Sequence, residues 1–172
     1  DKALKFFGRA HDAAEARKAI ALAERYFTRF SFDMIYGYKG QNPEKWVHEL
    51  CEALELAKGH ISLYQLTIEP RTPFALRAEK GEKLVADEDD AFEMFEITQE
   101  ITNDAGLPAY EISNHARAGQ ESRHNLTYWR YEDYIGIGPG AHGRYVKNSM
   151  RYAAENHRAP DAWLEDVKKK GV

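Results

Sequence analysis

The stretch that decides the fold is "NPEKWVHELCEALELAKGHISLYQLTIEP", residues 42–70. Its first part opens with Asn42 and Pro43, an N-cap followed by proline at the first helical position, and it closes with a Lys-Gly pair. Its second part, from residue 60 onward, is a strand-like run that stops at Glu-Pro. A helix joined to a strand by a few residues is the unit from which parallel α/β sheets are built.

The same alternation continues on both sides of this stretch. Apolar spacing, caps and glycine stops predict further helices over 13–27 (with Asp12 as N-cap), 73–81, 87–106 and 161–171. Strands are predicted over 29–37 and 108–116, with a short one near "DYIGIG" in a mostly loop-like region, 122–143. The pattern therefore predicts an α/β fold with a mostly parallel sheet and outer helices. With so few strands, a half-barrel or open sheet fits, and ligands of such folds bind at the carboxyl ends of the strands.

Composition narrows the class of protein. The chain has 172 residues, 43% hydrophobic and 30% charged, which is typical of one globular domain. A net charge of -4 provides no basic field, so we expect no nucleic-acid partner. No apolar run is long enough for a bilayer, so we expect no integral membrane segment. Because the chain begins with Asp1 rather than Met, we interpret it as a piece of a longer protein.

The cysteine count bears on both compartment and chemistry. Cys51 is the single cysteine, which excludes an internal disulfide framework and favours a reducing compartment, so we predict a cytoplasmic location. One cysteine also excludes a cysteine-ligated metal cluster built by this chain alone. Because Cys51 and Trp46 fall on a predicted amphipathic helix, we interpret both as packing residues, and no G-x-S-x-G motif marks a nucleophile.

The glycines of "GIGPGAHG" spell the dinucleotide fingerprint G-x-G-x-x-G at Gly138, Gly140 and Gly143. That motif requires a helix to begin at the glycines, so that the helix N-terminus meets the pyrophosphate. Here Pro139 lies inside the motif, and the following "RYVKNSMRY" has no helix-start signal. We therefore interpret the glycines as a strand end where the backbone closely approaches another group.

A hydrolytic metal centre is an open alternative. The side chains of His115, His124 and His142, with Glu111 or Asp133, are of types that bind zinc. The histidines are 9 and 18 residues apart, which matches no compact ligand motif. A metal-dependent hydrolase on a β/α scaffold is therefore kept as a further alternative function.

The element "HNLTYW" combines polar anchors with flat aromatic surface. His124 and Asn125 provide the anchors, and Tyr128 and Trp129 provide rings with a polar group each. A tetrapyrrole needs stacking surface, an axial or carboxylate-pairing histidine and nearby cations for its propionates. The flanking arginines meet the last requirement: Arg123 and Arg130. The alternative is a loop that its aromatic side chains pin to the scaffold, and the residues alone leave both interpretations open.

Three longer segments of the sequence, in this order along the chain, resemble a known protein family. "FDMIYGYKGQ", "HISLYQLTIEPRTPF" and "YEISNHARAGQESRHNLTYWRYEDYIGIGPGAHG" follow one another at a spacing that resembles the oxygen-independent coproporphyrinogen III oxidase-like radical SAM proteins. Within that family they look most like the HemW-type heme chaperones, from about Arg9 to His142. The element "HNLTYW" matches the H-N-x-x-Y-W motif that is associated with heme in that group.

The resemblance implies a partial (β/α) TIM-like radical SAM barrel that holds a 4Fe-4S cluster and S-adenosylmethionine. The family binds the cluster with a C-x-x-x-C-x-x-C loop that this chain does not contain, so no metal ligand is expected here. We therefore interpret residues 1–145 as the C-terminal half of the barrel and 146–172 as the start of a C-terminal helical extension. The resemblance also implies site residues: Arg9, Asp33 (at a strand end), Thr67 and His142 for S-adenosylmethionine, and His124, Asn125, Tyr128 and Trp129 for heme.

By resemblance, the expected function is that of a heme chaperone-like radical SAM protein in porphyrin and heme metabolism. Its partners would be heme or a porphyrin and a heme-recipient protein. A homodimer that covers exposed sheet edges is a further expectation. The alternative within the family is an oxygen-independent coproporphyrinogen III oxidase, which converts coproporphyrinogen III to protoporphyrinogen IX by oxidative decarboxylation. We expect the chain by itself to be inactive.

Overall fold

The computed structural model describes residues 1–171, which form two compact units: Asp1–Glu121, and the residues from Ser122 onward. The first unit contains eight elements: α1 (Lys2–Phe6), α2 (Ala13–Tyr26), β1 (Asp33–Tyr36), α3 (Pro43–Leu56), β2 (His60–Gln65), α4 (Pro73–Glu79), α5 (Glu88–Asp104) and β3 (Asn114–Ala116). The second contains α6 (Arg123–Trp129), β4 (His142–Lys147), β5 (Met150–Glu155) and α7 (Pro160–Lys170). No helix in residues 1–171 is long and apolar enough to cross a membrane.

Helix starts follow the local sequence signals. Asp12 accepts a hydrogen bond from the Glu15 amide at 2.8 Å, and the Glu15 carboxylate accepts one from the Asp12 amide at 3.0 Å, which is a complete capping box. Asn42 caps α3 through the Lys45 amide at 3.0 Å. Each of these bonds spans three residues, so the sequence alone predicts where both helices begin.

The sheet of the first unit has the strand order β1-β2-β3. Strands β1 and β2 are parallel, with Asp33 opposite Ser62, which confirms the α/β class. Strand β3 is antiparallel to β2, so the sheet is mixed, and the parallel orientation expected for the third strand is wrong.

The cause is a tight reversal inside the segment 108–116 that was predicted as one strand. Ala109 bridges His115 in antiparallel fashion, and the Tyr110 amide donates to the Asn114 carbonyl at 3.1 Å. The segment is therefore two short arms, and only the returning arm pairs with β2.

The core lies where α3 and α5 cover one face of this sheet. Trp46 is fully buried, stacks on Tyr36 with ring centroids 4.7 Å apart, and donates from Nε1 to Thr98 Oγ1 at 2.8 Å. Ile61 and Leu63 of β2 complete the layer. The prediction of Trp46 as a core residue is confirmed.

Cys51 is exposed, so its prediction as a packing residue is wrong. The apolar stripe of α3 passes through Trp46, Leu50 and Ala53. Because successive helical residues are about 100° apart around the axis, the residue after Leu50 lies off that stripe.

The second unit differs most from the prediction. Residues 123–129 form helix α6 rather than a loop. The strand expected near "DYIGIG" is reduced to an isolated bridge between Tyr134 and Arg144. Strands β4 and β5 form an antiparallel hairpin that the sequence did not predict. Its turn has Asn148 and Ser149 at φ 51° and 61°, as in the type I′ turns of hairpins, without the glycine that usually marks them.

The predicted helix over 161–171 is present as α7, while β5 precedes it within the segment expected to begin a helical extension. The domain boundary predicted at residue 145 stays a prediction for the whole protein. Within this chain, the compact units divide between Glu121 and Ser122.

Candidate functional site

A cavity of about 550 Å³ in the first unit joins two of the predicted site residues, Arg9 and Thr67. Arg9 follows α1, and Thr67 follows the carboxyl end of β2, where ligands of parallel α/β folds bind. The other residues that line it are Lys5, Phe6, Phe7, Gly8, Glu69, Thr72, Pro73, Phe74 and Arg77. The lining thus contains three cations, one carboxylate and an aromatic wall, which consists of Phe6, Phe7 and Phe74.

The aromatic wall is held by Arg77. The Phe6 and Phe74 ring centroids are 5.2 Å apart, and the Arg77 guanidinium lies 5.4 Å and 5.0 Å from them. Arg77 also donates from Nε and a terminal nitrogen to the two carboxylate oxygens of Glu82, at 2.8 Å and 2.6 Å. The hydrogen bond to Glu82 raises the pKa of Arg77 above its ordinary value. Because a bidentate pair fixes the plane of the guanidinium, the two rings have a fixed neighbour.

The loop after β2 is ordered by hydrogen bonds around Glu69. Thr67 Oγ1 donates to Glu69 Oε1 at 3.1 Å, and Thr72 Oγ1 donates to the Glu69 carbonyl at 2.7 Å. Thr72 also caps α4 by accepting from the Ala75 amide at 3.2 Å. Glu69 therefore brings a carboxylate to the cavity. Its position after the end of a strand indicated this role, whereas the resemblance to the family did not.

Asp33 does not lie at the carboxyl end of its strand, the end where ligand-binding residues were expected. It is the first residue of β1, at the amino end of the strand, opposite Ser62 of β2. It is not among the residues that line the cavity within the described chain. The strand register places it on the sheet face of Ser62 and Asn114. Asn114 donates to the Glu111 carboxylate, and its own Oδ1 is buried with no hydrogen-bond partner in residues 1–171.

Two histidines are buried in the same sheet. His60 lies between Ser31 Oγ, 2.6 Å from Nδ1, and the Tyr110 hydroxyl, 2.7 Å from Nε2. His115 is fully buried, and neither of its ring nitrogens has a hydrogen-bond partner among the described residues. Burial lowers the pKa of both histidines, with Asp33 opposing the shift at His60 and Glu111 opposing it at His115.

The zinc alternative finds no geometric support. Among residues 1–171, no three His, Cys, Asp or Glu side chains are placed to hold a metal ion together. His115 is enclosed in the core of the first unit, and His142 pairs with Glu155 across the hairpin, Nε2 to Oε1 at 3.6 Å.

Helix α6 gives the element "HNLTYW" a definite geometry in the second unit. Ser122 caps the helix by accepting from the Asn125 amide. Residues four apart share a helical face, so His124 and Tyr128 meet edge to face, with centroids 4.9 Å apart and an 87° interplanar angle. Both side chains are exposed, and so is Trp129 at the helix end. Asn125 is partly buried on the same helix.

The glycines of the second unit permit two backbones to touch. A Cβ at Gly136 would lie 2.2 Å from the His142 carbonyl oxygen, and one at Gly143 would lie 3.0 Å from the Gly136 nitrogen. Glycine is required at both positions for that approach. The element that follows Gly140 is strand β4 rather than the helix that the dinucleotide motif requires.

No protein-family model matches the chain. The mouse protein "Radical S-adenosyl methionine domain-containing protein 1, mitochondrial" is 39% identical over 97% of the chain, and the Haemophilus influenzae heme chaperone HemW is 43% identical over 84%. The chain spans 39% and 37% of the length of these two relatives.

The fold agrees with a solved structure. Coproporphyrinogen III oxidase (HemN) from Escherichia coli, a radical SAM enzyme, superimposes with a TM-score of 0.73 over 99% of the chain and 41% of the enzyme, at 18% identity. The fold is therefore that of a radical SAM protein. The chain belongs to the HemW-like radical SAM family, which confirms the resemblance carried by its motifs.

Proposed function

We propose that the whole protein to which this chain belongs is a heme chaperone that binds heme on helix α6. The observation that carries the proposal is that "HNLTYW" forms a capped helix with His124 and Tyr128 on one exposed face. The HemW name of relatives with up to 43% identity supports the same assignment.

The residues of α6 fit the chemistry of a heme. An exposed imidazole at His124 is a suitable axial ligand, and Tyr128 and Trp129 offer flat surface beside it. Asn125 supports the helix start next to the ligand. For the propionates the helix offers cations at its two ends: Arg123 and Arg130.

We also propose that the cavity of the first unit binds S-adenosylmethionine. Arg9 would pair with the ligand's carboxylate and Glu69 with its amino group, while the wall at Phe74 suits its flat base. Thr67 lines the same cavity, and Asp33 and His142 stay predictions from the resemblance. The ligand and its 4Fe-4S cluster would supply radical chemistry. The cluster ligands would come from another part of the protein, which would make this chain the C-terminal half of a partial barrel.

The decarboxylase is the second candidate, and the fold similarity to HemN favours it. Incubating the full-length protein, with cluster and S-adenosylmethionine, with coproporphyrinogen III distinguishes the two. Release of carbon dioxide with a vinyl product supports the oxidase, and its absence in a protein that binds heme supports the chaperone. A heme-recipient partner, homodimerisation and a cytoplasmic location remain predictions.

The first test is a heme titration of the full-length protein followed by visible absorbance. The wild type is expected to show a saturable Soret shift that weakens in His124→Ala, because the axial ligand is lost. The matched control is His48→Ala, an exposed histidine of α3, which is expected to behave as wild type. A titration indifferent to His124→Ala would contradict heme ligation at α6.

A further inference from the structure

Three aromatic rings of the second unit form a continuous stack. Tyr128 packs edge to face against His124 at 4.9 Å, and Tyr134 packs edge to face against Tyr128, also at 4.9 Å, with an interplanar angle of 75°. Tyr134 lies outside helix α6 and outside the H-N-x-x-Y-W motif. The stack thus links the exposed imidazole to a residue that the motif does not include.

Tyr134 is the only one of the three rings that is fixed by strand pairing. Its amide donates to the Arg144 carbonyl at 2.7 Å, and the Arg144 amide donates back to its carbonyl at 2.8 Å. A Cβ at Gly143 would lie 3.2 Å from the Tyr134 carbonyl oxygen, so glycine at 143 allows this close approach. Two hydrogen bonds therefore hold the backbone of Tyr134 against Arg144 of strand β4.

The three rings differ in how far they are exposed to solvent. Tyr128 is 46% exposed and His124 is also exposed, whereas Tyr134 is half-buried. An exposed ring on a seven-residue helix has few neighbours that limit its rotamers; Tyr128 packs against Tyr134, and His124 packs against Tyr128. Removing Tyr134 would leave Tyr128 free to rotate and the imidazole without a fixed neighbour.

We propose that Tyr134 is a positioning residue for the heme site: through Tyr128 it holds the His124 imidazole in the orientation needed for axial ligation. This proposal rests on the proposed function, since it concerns the same site. The phenol hydroxyl is not needed for the role, because the contact is made by the ring. Phenylalanine at position 134 should therefore preserve it, and leucine should not.

The test uses the full-length protein in equilibrium heme titrations with electron paramagnetic resonance of the ferric complex. Tyr134→Leu is expected to weaken heme binding by about two- to tenfold, the contribution of one edge-to-face aromatic pair. Its ferric signal is expected to be heterogeneous, because the imidazole samples several orientations. Tyr134→Phe is expected to restore both affinity and spectrum. Tyr145→Leu is the matched control, since Tyr145 stacks on Tyr152 in the hairpin and, among the described residues, its ring pairs with none of the three rings of the stack.

The outcomes separate the two proposals. Wild-type affinity and a homogeneous spectrum in Tyr134→Leu, while His124→Ala loses binding, overturn the positioning role and keep heme ligation. Loss in both Tyr134→Leu and Tyr134→Phe shows that the ring is not the cause and also overturns it. If the wild type does not bind heme, the proposed function fails and the positioning role fails with it. Equal thermal midpoints of the variants show that the effects do not come from unfolding.

Discussion

At the scale of single residues, burial decides what the histidines of this chain do. His124 is exposed on a helix, whereas His115 is enclosed in the core with no partner for either ring nitrogen among the described residues. The same residue type therefore serves as a candidate ligand in one place and as an uncharged packing group in the other. A buried imidazole without a partner is costly to protonate, and burial lowers the pKa of His115 accordingly.

The lowered pKa makes stability depend on pH. Between the folded pKa and the unfolded value of about 6.5, the unfolded chain binds more protons, so stability falls as the pH drops below about 6.5. We expect His115→Leu to reduce the drop in thermal midpoint between about pH 7.5 and about pH 5.5. A difference of one pKa unit between the folded and unfolded states changes the free energy of unfolding by up to about 1.4 kcal/mol.

The control for this prediction is His48→Leu, an exposed histidine on α3. It is expected to keep the pH dependence of the wild type. An unchanged drop in His115→Leu would show that His60, whose pKa burial also lowers, accounts for the acid sensitivity.

At the same residue scale, Arg9 tests the cavity of the first unit. Arg9→Gln is expected to weaken S-adenosylmethionine binding to the full-length protein by about tenfold or more, because a hydrogen bond between charged groups contributes about 1.5–3 kcal/mol. Isothermal titration calorimetry measures the change without requiring turnover. Arg25→Gln, an exposed arginine of α2, is the matched control. Equal affinities of the two variants for S-adenosylmethionine would show that Arg9 does not bind this ligand.

At the scale of elements, the hairpin shows how a turn can form against its sequence. Asn148 and Ser149 both adopt left-handed backbone angles, which glycine adopts without steric cost and serine does not. The six residue pairs of the hairpin, including the stacked Tyr145 and Tyr152, compensate for that cost.

Ser149→Gly should therefore stabilise the hairpin by about 1 kcal/mol, because it removes the left-handed strain of a side chain. Slower amide hydrogen exchange across residues 142–155 of the full-length protein is the expected observation. Met150→Gly, one position later in an extended strand, is the control and should accelerate exchange. Faster exchange in Ser149→Gly would show that the serine side chain itself stabilises the turn.

At the scale of the whole molecule, the chain carries two separate candidate sites on two compact units. The cavity with Arg9 and Thr67 belongs to the first, and the aromatic stack on α6 belongs to the second. Because the chain spans about two fifths of the length of its relatives, activity must be measured on the full-length protein. A variant in each unit, Arg9→Gln in the first and His124→Ala in the second, can then be compared for independent effects on the two ligands.

The sequence by itself determined the features whose interactions are local. The Asp12 and Asn42 caps bond to amides three residues away, and the stripe through Trp46 repeats at helical spacing, so α2, α3 and the α/β class could be predicted. The ordered motifs determined the family, and with it the candidate residues His124 and Thr67.

Only the tertiary structure decided the direction of β3, the hairpin, the burial of His115 and the contact of Tyr134 with Tyr128. Strand direction depends on which distant backbone accepts the hydrogen bonds, and the reversal at residues 111–113 leaves no glycine or proline signal. Burial likewise depends on what packs on top of a residue. Local periodicity records neither, because both depend on groups that are far apart in the chain.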